Sequence, residues 1–317
     1  MKTAFYSHPD FKLHFNGAGH PERPERLDAI EAALRAADLW DELAHPAFGA
    51  ATETNLERCH TPAHIARVKA MAEAGGGRLD GDTTVGPRSF EVAKLASGAA
   101  IAATRAVVSG EFDNAFVASR PPGHHAESGK RAGSPWGFCL FDGVAVAARY
   151  AQRELGIERA AILDFDVHHG NGTQEIFYRD GSVTFVSLHE SPLFPGTGER
   201  DETGEGAGLD ATINFPLPAG CDGEIYRRVW QLVGQRVREF GPDLILLSAG
   251  YDAHARDPLG HMALTSEDFA ALVSDAKSWA RELCGGRLVA VLEGGYNLGA
   301  LGESVVETIK VLRDDSI

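Results

Sequence analysis

The sequence is poor in cysteine, short of positive charge, and without any long apolar run. Cysteine occurs only at Cys59, Cys139, Cys221 and Cys284, and no two of them form a Cys-x-x-Cys pair. A disulfide framework and a structural zinc knuckle are therefore not expected, and a reducing compartment fits. No apolar stretch approaches the ~20 residues that cross a bilayer. The opening segment MKTAFYSHPDFKLHFNG lacks the apolar region of a secretory signal. The expected setting is cytoplasmic, with no membrane partner. Lysine and arginine number 30 against 45 aspartates and glutamates, a formal charge of −15. Such a surface repels nucleic-acid phosphate and attracts cationic ligands, so no nucleic-acid partner is expected.

What the sequence does have is alternation. Apolar runs of strand length, several β-branched and bounded by Gly, Asp or Pro, fall at Thr3–Ser7, Asn114–Ser119, Ala160–Asp166, Val183–His189, Ala211–Phe215, Leu244–Ala249 and Leu288–Leu292. Amphipathic stretches lie between them: Pro24–Leu39, Pro62–Ala74, Phe90–Val108, Val144–Leu155, Glu224–Phe240, Ser266–Leu283 and Gly299–Leu312. Ser266, followed by Glu267 and Asp268, reads as an N-cap with an acidic first turn. The alternation predicts an α/β fold: a single open, mostly parallel sheet with helices on both faces. No linker or internal repeat divides the chain, so residues 1–317 are expected to form one domain.

Ligands in such folds bind beyond the carboxyl ends of the strands. Four strand ends carry reactive clusters: SRPPGHH, LDFDVHHGNG, SAGYD and EGGY. Asp166 and His168 are two apart, and on a strand such residues point the same way. With Asp252 they make a candidate Asp/His/Asp metal site that leaves positions open for water and substrate. The mixed donors suit Zn2+, and Fe2+, Co2+ or Mn2+ also match them. The tandem pair His124–His125 follows a rigid Pro-Gly turn, and one of the two is a candidate general base. Asp164 and Asn171 are candidate partners behind the site. Tyr296 follows Gly294 and Gly295, and its hydroxyl is a candidate donor to an oxyanion. GHHAESGKR fails as a phosphate loop, GEGAGLD fails as a dinucleotide fingerprint, and there is no GxSxG elbow.

Together, RPPGHHA, GFCLF, DFDVHHGNGTQ, SLHE…FPGTG, SAGYDAHARDPLG and EGGY resemble the histone deacetylase family, which includes bacterial deacetylase-like amidohydrolases and acetylpolyamine amidohydrolases. The resemblance runs from about Gly19 to Leu298. It implies an arginase/deacetylase fold and a zinc amide hydrolase with one Zn2+ per chain. By motif, Asp166, His168 and Asp252 look like the metal ligands, and His124 and His125 like the acid/base histidines. Asp164 and Asn171 resemble their respective partners, and Tyr296 the carbonyl-polarising tyrosine. Phe138 and Phe194 resemble the tunnel walls, with Gly137 and Gly295 beside them and Leu259 at the mouth. Arg26 resembles the arginine of the acetate-release cavity. Asp164, Ser187 and Leu188, with the carbonyls of Asp166 and His168, resemble a structural K+ or Na+ site. Two features depart from the family pattern: a longer loop at Ala126–Gly137 that carries Trp136, and Asp142-Gly143 where asparagines are usual.

The expected substrate is an acetylated lysine peptide or protein. By the same resemblance, Leu259 stands where an acetylpolyamine-selective member of the family carries a glutamate, which implies a neutral acyl-lysine stem. An acetylated polyamine is the alternative that the acidic surface keeps open. A non-catalytic binding protein and a binuclear manganese ureohydrolase are weaker readings. The assembly state, monomer or homo-oligomer, is left open.

Overall fold

Leu244–Ala249 is buried along its whole length, which is how a strand covered on both faces must lie. The computed structural model describes residues 1–130 and 133–316. Its strands are β1 (Thr3–Tyr6), β2 (Gly77–Arg78), β3 (Thr84–Val85), β4 (Asn114–Val117), β5 (Ala160–Asp164), β6 (Val183–Glu190), β7 (Thr212–Leu217), β8 (Leu244–Ala249) and β9 (Leu288–Leu292). The α-helices are α1 (Glu25–Ala36), α2 (Glu53–Leu56), α3 (Pro62–Glu73), α4 (Ser89–Val108), α5 (Gly143–Glu154), α6 (Asn171–Phe177), α7 (Gly223–Phe240), α8 (Ser266–Cys284) and α9 (Leu298–Arg313).

Seven strands form one sheet in the order β1-β4-β9-β8-β5-β6-β7, and every pairing within it is parallel. The open parallel α/β sheet expected from the alternation is therefore present. β9 is inserted between β4 and β8. Helices α1, α9, α8 and α7 pack in series, and α4 packs on α5 and α3. These two groups bury the apolar strands in one continuous core. No helix among the described residues is long and apolar enough to cross a membrane.

Several boundaries differ from the sequence pattern. The fifth strand stops at Asp164 rather than Asp166, because the Asp164 carboxylate accepts the Asp166 N–H and turns the chain out of the sheet. Helix α8 is capped by Thr265 rather than Ser266: Thr265 and Asp268 form a reciprocal capping box, which the acid three residues on selects. Ser266 instead points inward to Ser304, 3.0 Å away. The sequence pattern gave no signal for the small β2–β3 pair or for the short helix that Asn171 opens.

Candidate metal centre and catalytic site

The four middle strands, β4, β9, β8 and β5, all deliver residues to one place at their carboxyl ends. At the end of β5 the chain makes two successive aspartate-capped turns. The Asp166 N–H donates to Asp164 Oδ1 at 3.0 Å, and the His168 N–H donates to Asp166 Oδ1 at 2.9 Å. Asp166 and His168 therefore meet through a turn beyond the strand and not through strand alternation. Asp252 follows β8, and its Oδ1 accepts the Val167 N–H at 2.8 Å. The Gly294 N–H, beyond β9, donates to Asp166 Oδ2 at 2.7 Å.

These bonds occupy Asp252 Oδ1 and Asp166 Oδ2 and turn the remaining oxygens toward His168. His168 Nδ1 lies 3.1 Å from Asp166 Oδ1 and 3.1 Å from Asp252 Oδ2. All three residues are buried, and their ligand atoms lie within 4.8 Å of one another. Two buried carboxylates and an imidazole aimed at a common point are costly without a cation between them. A side chain at Gly250 or Gly294 would collide with these carboxylates, so both glycines keep the space open. The donors present fit a divalent metal ion.

The tandem histidines face this group from the end of β4. Their approach is fixed by Glu293, whose Oε2 accepts the N–H groups of Gly123 at 2.7 Å and His124 at 3.2 Å. His124 Nδ1 bonds to Asp164 Oδ2 at 2.9 Å, and His125 Nδ1 to Asn171 Oδ1 at 2.8 Å. Burial opposes charge on both rings. At His124 the carboxylates of Asp164 and Asp166 outweigh it and hold the pKa well above the usual value. At His125, burial together with the neighbouring His124 and His168 rings pushes the pKa well below. The surroundings thus shift these two rings, whose centres are 4.0 Å apart, in opposite directions.

Two aromatic rings stand beside this group. Phe138 lies edge-on to Tyr296, with ring centres 5.9 Å apart. Phe194 lies edge-on to His125 at 5.1 Å and near His168 at 6.2 Å. Phe138 adopts φ 69°, a left-handed conformation that is strained for a bulky side chain. Its N–H donates to Thr83 Oγ1 at 3.0 Å, which holds it there. Gly137 sits against the His125 ring, where any Cβ would strike it. Gly295, at φ 116°, packs on Tyr251 and Leu301. Leu259 is half-buried in the loop after Asp257.

Asp257 ties that loop to the tyrosine. Its carboxylate accepts the N–H groups of Tyr296, Asn297 and Leu259 at 2.6, 3.1 and 3.0 Å. Arg26 is fully buried with its guanidinium 5.0 Å from the Tyr296 ring centre, and it donates to the carbonyls of Gly295 and Glu293. Ser187 lies beside Asp164 across the β5–β6 pairing, with its hydroxyl bonded to His189 at 2.9 Å, and Leu188 is buried next to it. Every site residue named from the sequence therefore lies in or beside this one cluster. Glu293 and Asp257 were missed. Each is an acid just past a strand or in a site loop, as Asp164 and Asp252 are, and that position was the available signal.

The profile of the histone deacetylase domain matches residues 20–312. A probable deacetylase of Archaeoglobus fulgidus is 42% identical over 307 residues, covering 95% of this chain and 83% of that one. A histone deacetylase-like amidohydrolase of Pseudomonas aeruginosa is 40% identical over 301 residues, covering 93% and 78%. The crystal structure of the HDA15 HD domain superposes with a TM-score of 0.92 at 35% identity, covering 98% of this chain and 89% of that one. With its profile match, its relatives and its fold in agreement, the chain belongs to the histone deacetylase family of hydrolases.

Proposed function

We propose that this protein is a zinc-dependent amide hydrolase that removes acetyl groups from the ε-amine of lysine and releases acetate. The convergence of the Asp166/His168/Asp252 group, the two paired histidines and Tyr296 in one buried cluster carries this reading. Asp166, His168 and Asp252 would hold one divalent ion, for which zinc suits the donor set best. When bound, that ion supplies Lewis acidity for the amide carbonyl and acidifies a water molecule.

The chain's own residues do the rest. His125, neutral and bonded through Nδ1 to Asn171, takes the proton of the attacking water at Nε2 and returns one to the leaving amine. His124, bonded through Nδ1 to Asp164, is oriented by that carboxylate beside the growing negative charge. Tyr296 donates its hydroxyl to the carbonyl oxygen as charge develops there. Phe138 and Phe194 flank the linear substrate stem and exclude water from it. Arg26, behind Tyr296, presents positive charge to the departing acetate. The same reading assigns a structural K+ or Na+ to Asp164, Ser187, Leu188 and the carbonyls of Asp166 and His168. It treats residues 1–317 as one working domain, placed in the cytoplasm, where the four buried free thiols stay reduced.

A second reading, hydrolysis of acetylated polyamines, has one observation in its favour. A cavity of about 690 Å3 opens beside His125 and Phe194, and the acids Asp80, Asp82 and Glu127 line it with one charge in excess of the bases Arg67 and Lys130. Such a wall suits a cationic amine. The two are separated by kcat/KM of the zinc-loaded protein on an acetyl-lysine peptide and on N-acetylputrescine, with Asp252→Ala as the blank. Lysine deacetylation predicts that the peptide wins by tenfold or more, about 1.4 kcal/mol of transition-state binding. An advantage for the acetylpolyamine establishes the second reading. Turnover of neither substrate, with Asp252→Ala indistinguishable from wild type, overturns both.

A further inference from the structure

Asn171 is a side chain that can sit two ways round. Its amide has an accepting end and a donating end, and the imidazole beside it takes whichever tautomer fits the end it meets. With the amide oxygen toward His125, Nδ1 carries the hydrogen and Nε2 keeps its lone pair. With the amide nitrogen toward His125, Nδ1 has to accept, the hydrogen moves to Nε2, and the ring can no longer take a proton there. An asparagine behind a general base is therefore useful only if something fixes its orientation.

Glu127 does this from the far side. Its Oε1 lies 3.0 Å from Asn171 Nδ2, and the carbonyl oxygen of His125 lies 3.5 Å from the same nitrogen. A carboxylate and a carbonyl only accept, so the amide nitrogen has to face them and the amide oxygen has to face His125 Nδ1, at 2.8 Å. Glu127 is itself 4% exposed and firmly held. Its Oε2 accepts from Ser134 Oγ, and its carbonyl oxygen accepts from His60 Nδ1 at 3.1 Å. His60 is fixed in that tautomer because its Nε2 accepts the Asp142 N–H at 2.9 Å. The next residue, Ser128, is clamped to Glu175 through its N–H and its hydroxyl, each at 2.9 Å.

We propose that Glu127 is a positioning residue that locks the orientation of Asn171, and through it the proton-accepting tautomer of His125. The proposal rests on the reading of His125 as general base given above. It also says why the first residues of the long Ala126–Gly137 loop are buried and tightly bonded although a surface loop would not need to be.

An aspartate at position 171 would need no lock, because both of its oxygens accept. That makes a decisive test. In Glu127→Gln the new side chain can donate as well as accept, and the preference for one amide orientation is weakened. The expected result is a kcat lower by about tenfold or more, with KM little changed, as for outer partners of other catalytic groups. Ser134→Ala, which removes a different contact of the same carboxylate and leaves its Oε1 on Asn171, lowers kcat less than Glu127→Gln does. Adding Asn171→Asp to Glu127→Gln restores most of the lost kcat, whereas Asn171→Asp alone sets two carboxylates side by side and is slower than the double variant. Independently of turnover, 15N shifts of the imidazole nitrogens show His125 protonated at Nδ1 in the wild type and divided between tautomers in Glu127→Gln. Wild-type kcat and unchanged nitrogen shifts in Glu127→Gln, or a double variant no faster than Glu127→Gln, overturn the proposal. If the wild type turns over neither acetylated substrate, the hydrolase reading falls, and the nitrogen shifts still decide whether Glu127 locks the ring.

Discussion

Tyr296 has its ring between Phe138 and the Arg26 guanidinium, and burial pushes its phenol well above the usual pKa against the pull of Arg26. Its O–H therefore persists across neutral pH. Tyr296→Phe keeps the ring contacts and removes only the donor. Steady-state kinetics should show kcat falling by roughly 10²–10³-fold, with KM and the melting temperature nearly unchanged. Glu22 behaves differently, because it supports the fold beneath the site. Burial alone would raise its pKa, but Arg120, bonded to both carboxylate oxygens, outweighs burial, and with His14 and Arg26 brings it from 4.5 down to about 2. A carboxyl lowered in this way stabilises the folded state above its unfolded pKa and loses that contribution as pH falls from 4.5 toward 2. Glu22→Gln should lack that acid-dependent loss. It should also be less stable at pH 7, by about 3–5 kcal/mol, because Arg120 is left buried without its partner. Denaturant titrations of both proteins across that pH range check this. At this scale the candidate metal-ligating group was legible, since Asp166, His168 and Asp252 announce themselves by type and place and lie together in the structure. Glu293, Asp257 and Glu127 were not. They act by receiving N–H groups from segments remote in sequence or by turning an amide, and neither task leaves a mark on the local pattern.

The elements follow a similar division. β8 and β9 were placed to the residue because a buried parallel strand is apolar throughout and ends where a Gly or an acid appears. The β2–β3 pair, with two residues in each strand, is too short to show any period, and α6 contains Gly172, which weakens a helical signal. Asn171 therefore carries no helical signal in the sequence, although it sits in the first turn of a helix. The cap of α8 was misplaced by one residue because Ser266 and Thr265 are both acceptable caps by type. Only the reciprocal bond to Asp268 distinguishes them. Thr265→Ala should lower stability by about 1 kcal/mol in denaturant unfolding and leave kcat unchanged.

For the molecule as a whole, the candidate metal group is a seam between strands. Asp166 follows β5, Asp252 follows β8, and Gly294 beyond β9 bonds to Asp166. A cation there would tie the ends of β5 and β8 together, and Asp166 is in turn bonded to the segment after β9. Chelation should therefore lower the melting temperature of the wild type, the stabilisation at a thousandfold excess over the dissociation constant being about 4 kcal/mol. Calorimetry with and without chelator checks this, and Asp252→Ala should show no such difference. The position of β9 also matters while the protein is being made. Chains leave the ribosome N-terminus first, at roughly 5–20 residues per second. β9 emerges last and belongs in the middle of the sheet, between β4 and β8. Until Leu288–Leu292 has been synthesised, the nascent chain carries a gap with two unpaired strand edges, a template for pairing with the wrong neighbour. The histidines after β4 are then still parted from the aspartates after β5 and β8. A chain that lacks only this strand thus has an open seam in its sheet and two halves of a site that have not yet met.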